Sequence, residues 1–172
     1  MGKPNLKSPK HSAAILTKGG KGHMAKSKLE KYIRRDMKVP PDIQQRHPEV
    51  KSPVLGLTSD QSFGKKDFAL SWWPISEPFE MVSETHAHDF DQFLMFVGGD
   101  MKNMTDLGGE VELTLGESKD ELEKLVFTTA TVVYVPAGLL HCPLNFKKVN
   151  NPDKPILFHD FFFAREYKRK EK

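Results

Sequence analysis

Glu84-Thr-His-Ala-His-Asp-Phe-Asp-Gln-Phe-Leu-Met-Phe-Val-Gly-Gly99 is the stretch whose reading decides the fold. His86, His88 and Gln92 stand at even spacings, so on an extended strand all three side chains project from one face. Two imidazoles and an amide aimed into one space suit a metal ion. A missing partner comes later, in Val135-Pro-Ala-Gly-Leu-Leu-His-Cys-Pro-Leu-Asn145, where a Pro/Gly turn delivers His141 from a second strand. His86, His88, Gln92 and His141 therefore form a candidate mononuclear metal site. By the same parity Asp89 and Asp91 fall on the opposite face. Cys142, directly after a ligand, is expected to face away from the metal as a small buried hydrophobe. Glu84 shares the ligand face and is the candidate catalytic base, or else a carboxylate at the mouth of the site.

Outward from this stretch the texture is that of short strands and turns. Expected strands are 54–57, 68–73, 83–97, 110–115, 126–127, 131–135, the His141 strand and 155–164, with turns at Ser59-Asp-Gln-Ser and Gly64-Lys-Lys. Pro74 and Pro78 limit the Trp72-Trp73 strand. The last strand, rich in Phe, has apolar residues on both faces, which fits the interior of a sandwich, a barrel or a dimer. His159 and Asp160 interrupt it, and one of the two is expected to line a cavity. Trp72, Trp73, Phe90 and Phe96 read as core or as pocket wall. Upstream, Leu29, Ile33 and Met37 recur at helical spacing, predicting a short amphipathic helix over 25–37 that Pro40-Pro41 stops. A second helical turn is expected from about Pro41 to His47.

The chain has 172 residues, 38% hydrophobic and 28% charged, enough for one core and its trimmings. Three segments are expected: 1–48, a basic extension with one short helix; 49–164, a β-barrel; 165–172, a basic tail. The net charge of +3 divides unevenly, with +9 on residues 1–40, +3 on 165–172 and −9 between them. The basic ends lack interleaved aromatics and any helix-turn-helix, so they are expected to be solvated or to lie on a neighbouring acidic subunit rather than to bind nucleic acid. No apolar run is long enough for a membrane helix and no secretory leader is evident, so a cytoplasmic protein without a membrane partner is expected. A single cysteine excludes an internal disulfide.

The residues from about 50 to 164 resemble a cupin. Its first motif, commonly Gly, five residues, His-x-His, three or four residues, Glu, six residues, Gly, is matched by His86-Ala-His88, Gln92 and Gly99. Its second, ending in Pro-x-Gly-x-x-His, three residues and Asn, is matched by Pro136-Ala-Gly138, His141 and Asn145. Glu80 and Ala130 replace the opening glycines, which touches local backbone geometry. Gln92 replaces the usual Glu, leaving a bound dication with its full formal charge.

The resemblance implies an all-β cupin double-stranded β-helix, a jelly-roll-like barrel, commonly paired as a homodimer. It also implies one divalent transition metal (Fe, Zn, Mn or Ni) and a small-molecule substrate. The ligand set is similar to that of cupins that open or isomerise uronate sugars. That points to Lewis-acid isomerase, ring-opening or lyase chemistry on a sugar or keto acid. The alternatives are a non-haem iron dioxygenase and a non-catalytic small-molecule-binding cupin.

Overall fold

A computed structural model describes residues 27–57 and 63–170. The expected N-terminal arm and the Ser59 turn lie outside the described residues. The chain divides into two units, residues 1–33 and 34–172. In the first, the described residues hold a single 3-10 turn, Glu30–Tyr32, after which Ile33 is extended. The helix expected over 25–37 is therefore not formed. Its apolar positions Leu29 and Ile33 are exposed, and so short a helix is marginal without a surface to bury its stripe.

The second unit contains a five-residue helix α1 (Pro41–Gln45) and nine strands. They are β1 (Leu55–Leu57), β2 (Ala69–Ile75), β3 (Phe79–Val82), β4 (Gln92–Gly98), β5 (Asp106–Gly116), β6 (Glu123–Thr129), β7 (Thr131–Val135), β8 (Leu140–Val149) and β9 (Ile156–Phe162). All pairings are antiparallel. One sheet runs β1-β2-β9-β4-β7 and the other β3-β8-β5-β6. Strict alternation along β4 and most of β5 turns Leu94, Phe96, Val111 and Leu113 inward. There they meet Ile75, Phe146, Ile156 and Phe158 in one core between the sheets. Phe96 and Phe146 have no exposed surface, and each such ring stabilises the fold by about 2–3 kcal/mol through burial alone. The all-β jelly-roll-like barrel expected from the sequence is the architecture observed.

Residues 34–48, read above as part of the extension, fall with the barrel unit. Lys38 bridges to Leu55, and the Gly56 amide donates to the Met37 carbonyl. A Cβ on Gly56 would lie 2.7 Å from the Leu70 carbonyl oxygen and 2.8 Å from Val39, so the close approach needs glycine. Gln44, on α1, donates to the Val50 carbonyl at 3.0 Å and accepts from the Val54 amide at 2.8 Å. Both bonds fix the entry to β1.

Two other departures have clear causes. β2 continues through Pro74 to Ile75, because β1 ends opposite Trp72. Beyond that point β2 is an edge on one side, where a missing N–H costs nothing. The single strand expected over 83–97 is broken: β3 belongs to the four-stranded sheet, β4 to the five-stranded sheet, and residues 83–91 cross between them. The β7-to-β8 connection makes the same crossing through Pro136-Ala-Gly138. Both candidate motifs thus sit where the chain changes sheets.

Candidate metal centre

His86 and His141 face each other across an isolated antiparallel bridge. Each backbone amide donates to the other's carbonyl, at 3.0 and 2.9 Å. The two crossings are pinned further along: the Gly138 amide donates to the His88 carbonyl at 2.9 Å, and the Ala137 amide to the Asp91 carboxylate at 3.0 Å. Gly138 has φ 92, a conformation that a side chain disfavours. Local backbone chemistry thus brings His86, His88 and His141 together, although the even-spacing argument supposed one continuous strand.

The ligand atoms of the three imidazoles all lie within 4.8 Å of one another, and all three residues are buried. Each ring is oriented by a carbonyl oxygen, which can only accept. His86 Nδ1 donates to the Glu84 carbonyl (2.9 Å), His141 Nδ1 to the Leu139 carbonyl (3.2 Å) and His88 Nδ1 to the Lys168 carbonyl (2.6 Å). In the neutral imidazole this leaves Nε2 of every ring unprotonated, as an acceptor, which is how ligating histidines are commonly held. Burial depresses the pKa of His88 to about 4 and that of His141 to about 3, and lowers that of His86 as well. At neutral pH no proton must leave these rings before a cation binds.

Gln92 opens β4 and lines the same cavity as His141. Its amide Nε2 donates to the Asp160 carboxylate at 2.8 Å, so Oε1 is turned away from Asp160. Gln92 Oε1 and His88 Nε2 are buried and have no hydrogen-bond partner. Leaving such atoms unpaired costs on the order of 1–3 kcal/mol each, a cost that a coordinated cation would remove. The three clustered imidazole nitrogens suit a divalent transition metal.

The cavity has a volume of about 740 Å³, and its walls include Trp73, Gln92, His141, Asp160, Tyr167 and Arg169. Of the two polar residues in the final strand, Asp160 is the one that faces inward. Burial pushes its carboxyl up to about 6, opposed by the Gln92 hydrogen bond. His159 turns outward, stacks on Trp72 at 4.3 Å and donates to the Ser71 carbonyl.

Cys142 is the small buried core residue expected and is not among the clustered ligand atoms, although the strand alternation behind that expectation does not hold. With φ 73 and a register shift in β8 between the partners of Leu113 and Leu115, it breaks the alternation. His141 and Cys142 therefore both reach the interior. Burial raises the thiol pKa to about 12, which leaves it inert.

Glu84 is not brought into the cluster. Its side chain is 80% exposed, 3.5 Å from the Arg169 guanidinium, and it is the main-chain carbonyl that serves His86. Asp89 is exposed and Asp91 serves Ala137, as parity required. Phe90 stacks on His88 at 4.5 Å, forming a wall of the site, whereas Phe96 is core.

The C-terminal segment contributes what sequence reading did not foresee. Residues 165–170, expected as a solvated tail, run back over the site. Lys170 donates its amide to the Ala87 carbonyl at 2.8 Å, Lys168 orients His88, and the Tyr167 hydroxyl lies 3.2 Å from His86 Nε2. The signal available was a single aromatic inside the basic run Arg165-Glu-Tyr-Lys-Arg169.

No family model matches the chain, and no curated protein matches it. Among solved structures it is similar to oxalate decarboxylase in a study of that enzyme's substrate binding mode and reaction specificity switch. The identity is 18% and the TM-score 0.46, over 69% of this chain and 27% of that one. It is also similar to the Bacillus subtilis oxalate decarboxylase studied for its Mn(II) centres, with 14% identity and a TM-score of 0.47, over 67% of this chain and 26% of that one. The chain thus spans about a quarter of the length of the structures it matches. Its own strand order is that of an antiparallel jelly-roll-like barrel, with the two motifs set at the sheet crossings and three imidazoles that could hold one metal ion.

Proposed function

We propose that the protein is a metal-dependent enzyme acting on a small molecule, with His86, His88, Gln92 and His141 as the ligands. The observation that carries this reading is the pair of buried, unpartnered acceptors, His88 Nε2 and Gln92 Oε1, beside a cavity of substrate size. Bound there, a divalent cation would supply Lewis acidity to a carbonyl or hydroxyl oxygen. That chemistry favours isomerisation, ring opening or lyase cleavage of a sugar or keto acid.

The chain's own part is to hold and exclude. Backbone carbonyls keep three neutral imidazoles in the ligating tautomer, Asp160 keeps the Gln92 oxygen turned to the site, and Phe90 and Trp73 limit water. For proton transfer at substrate carbon or oxygen the candidate groups are Asp160, inside the cavity, and Glu84, at its rim. Glu84→Gln should lower kcat and alter the pH profile without changing metal content, if the rim carboxylate is the base. The reading is tested by elemental analysis of protein purified without chelators, alongside His86→Ala. One equivalent of metal in the wild type and none in the variant is expected, and the identity of the metal then selects the assay: isomerisation for zinc, nickel or manganese, oxygen uptake for iron. No metal in the wild type after reconstitution would overturn it.

We also propose a homodimer, formed through the outer face of the five-stranded sheet. Register places Val132, Met95, His159, Trp72 and Leu55 in one row across β7, β4, β9, β2 and β1. Val132 is 64% and Leu55 44% exposed, a contiguous apolar band of the kind that marks association. Light scattering at micromolar protein is expected to give twice the chain mass, and Val132→Glu the monomer mass with metal content retained. A monomeric wild type would defeat the proposal.

A further inference from the structure

The C-terminal strap places a phenol where a further ligand would stand. Tyr167 Oη is 3.2 Å from His86 Nε2, and since His86 Nδ1 is already donating to Glu84, the phenol donates to the same lone pair that a cation would take. Donor atoms held at about 2.0–2.1 Å from one metal lie about 3.0–3.4 Å apart when adjacent. The phenol oxygen is thus spaced from the imidazole nitrogen as a neighbouring ligand would be.

The placement is not loose. Lys168, the next residue, is bonded to the His88 ring through its carbonyl, and Lys170 is bridged to Ala87, between the two ligand histidines. The Tyr167 ring meets His88 edge to face at 4.6 Å and Phe162 at 5.7 Å. The strap is therefore anchored at three points around the hydroxyl it presents. Burial, with the Asp160 carboxylate adding to it, holds the free phenol protonated, and the guanidinium of Arg169 on the same strap opposes this, so it is a bound cation that would draw the proton off.

We propose that Tyr167 is a metal ligand, its phenolate oxygen joining His86, His88, Gln92 and His141 when a divalent cation binds. The inference rests on reading the three imidazoles as metal ligands. In the step the Tyr167 O–H bond breaks, an oxygen–metal bond forms, and the proton passes to water through the open side of the cavity. Tyr167 keeps 41% of its surface accessible, so that route exists. The strap would thereby become part of the centre.

Copper(II) is the probe, because imidazole sites bind it tightly and a coordinated phenolate gives it an intense visible charge-transfer absorption. Full-length protein titrated with copper(II) at neutral pH should take up one equivalent and develop that band. Resonance Raman excitation within the band should show phenolate ring modes. Tyr167→Phe, which keeps the ring packing, should bind one equivalent with the band absent and with affinity lower on the order of tenfold. Two results would overturn the proposal. If wild type and Tyr167→Phe bind one equivalent with the same weak spectrum, the metal site stands and Tyr167 is only a latch on His86. If the wild type binds no copper, the reading of the site itself fails and the proposal falls with it.

Discussion

Two stretches of chain converge on the same imidazoles, and they differ in how they do it. Residues 84–92 supply ligands from a crossing between sheets, held by a backbone bridge to His141 at 2.9 and 3.0 Å and buried in the barrel end. Residues 165–170 supply orientation from outside, through one carbonyl, one amide and one hydroxyl, with most of their side chains exposed. The first stretch is held whether or not the site is filled, because its bonds belong to the sheets. The second gains most of its anchorage at the site itself, since the His88 ring and the Ala87 carbonyl are what it grips. Ligand identity is thus written into the barrel, and ligand posture partly into the strap.

The comparison breaks most sharply at His141. His141→Ala removes one of the proposed donors, and if structural metal binding is on the order of 10–16 kcal/mol, affinity should fall on the order of a thousandfold. Competition with a chromogenic chelator measures it. An equal loss on deleting residues 165–172 would mean that the strap, too, is a primary holder of the ion.

Acid sharpens the difference in a second way. The folded-state pKa of His88 is depressed to about 4 from an ordinary 6.5. Above pH 6.5 the ring is neutral folded or unfolded, and its protonation exerts no effect. As pH falls from 6.5 toward 4 the unfolded chain takes a proton that the folded ring refuses, so the metal-free protein loses stability. The loss by pH 4 is on the order of 3 kcal/mol from this residue, and His141 adds to it at lower pH. Urea midpoints of chelator-treated protein across that range should show the decline, and a flat profile would mean that the cluster is not held neutral.

Deleting residues 165–172 should cost less. The truncation removes the Lys168 carbonyl from His88 and the Tyr167 hydroxyl from His86, and losing such supporting bonds lowers metal affinity about 10- to 100-fold. The barrel should keep its far-ultraviolet circular dichroism, because no strand residue is removed.

The sequence made the ligand stretch legible because spacing and turn chemistry are local. His86, His88 and His141, whose ligand atoms lie within 4.8 Å of one another, could be named together from their spacing and from Pro136-Ala-Gly138, and the alternating runs at β4 and β5 marked the strands that carry the core. The break between β3 and β4 was not legible. Residues 83–97 read as one continuous strand, and only long-range pairing with β8 and β9 decides that 79–82 and 92–98 join different sheets. The irregularity at Cys142 was hidden for a related reason, since a bulge is fixed by its partner strand. The strap was hidden most completely. Two of its three contributions are backbone groups, which any residue type provides, and its basic composition pointed toward solvent. The 25–37 helix shows the opposite error: a period was present, and no surface received it.

Asp160 tests the remaining link, the one between Gln92 and its posture. An amide presents oxygen or nitrogen with nearly the same shape, so what aims Oε1 at the site is the carboxylate that takes Nε2 at 2.8 Å. Asp160→Asn keeps an oxygen able to accept that bond and should change metal affinity by less than about fivefold, since the replaced hydrogen bond is worth about 1 kcal/mol at most in difference. Asp160→Leu removes the acceptor, frees the amide to rotate and should cost about tenfold, measured by the same chelator competition. Equal losses in the two variants would assign the effect to the carboxylate's charge near the cation. No loss in either would mean that Gln92 is aimed by packing alone and that its spacing with His86 and His88, rather than its hydrogen bond, places it at the site.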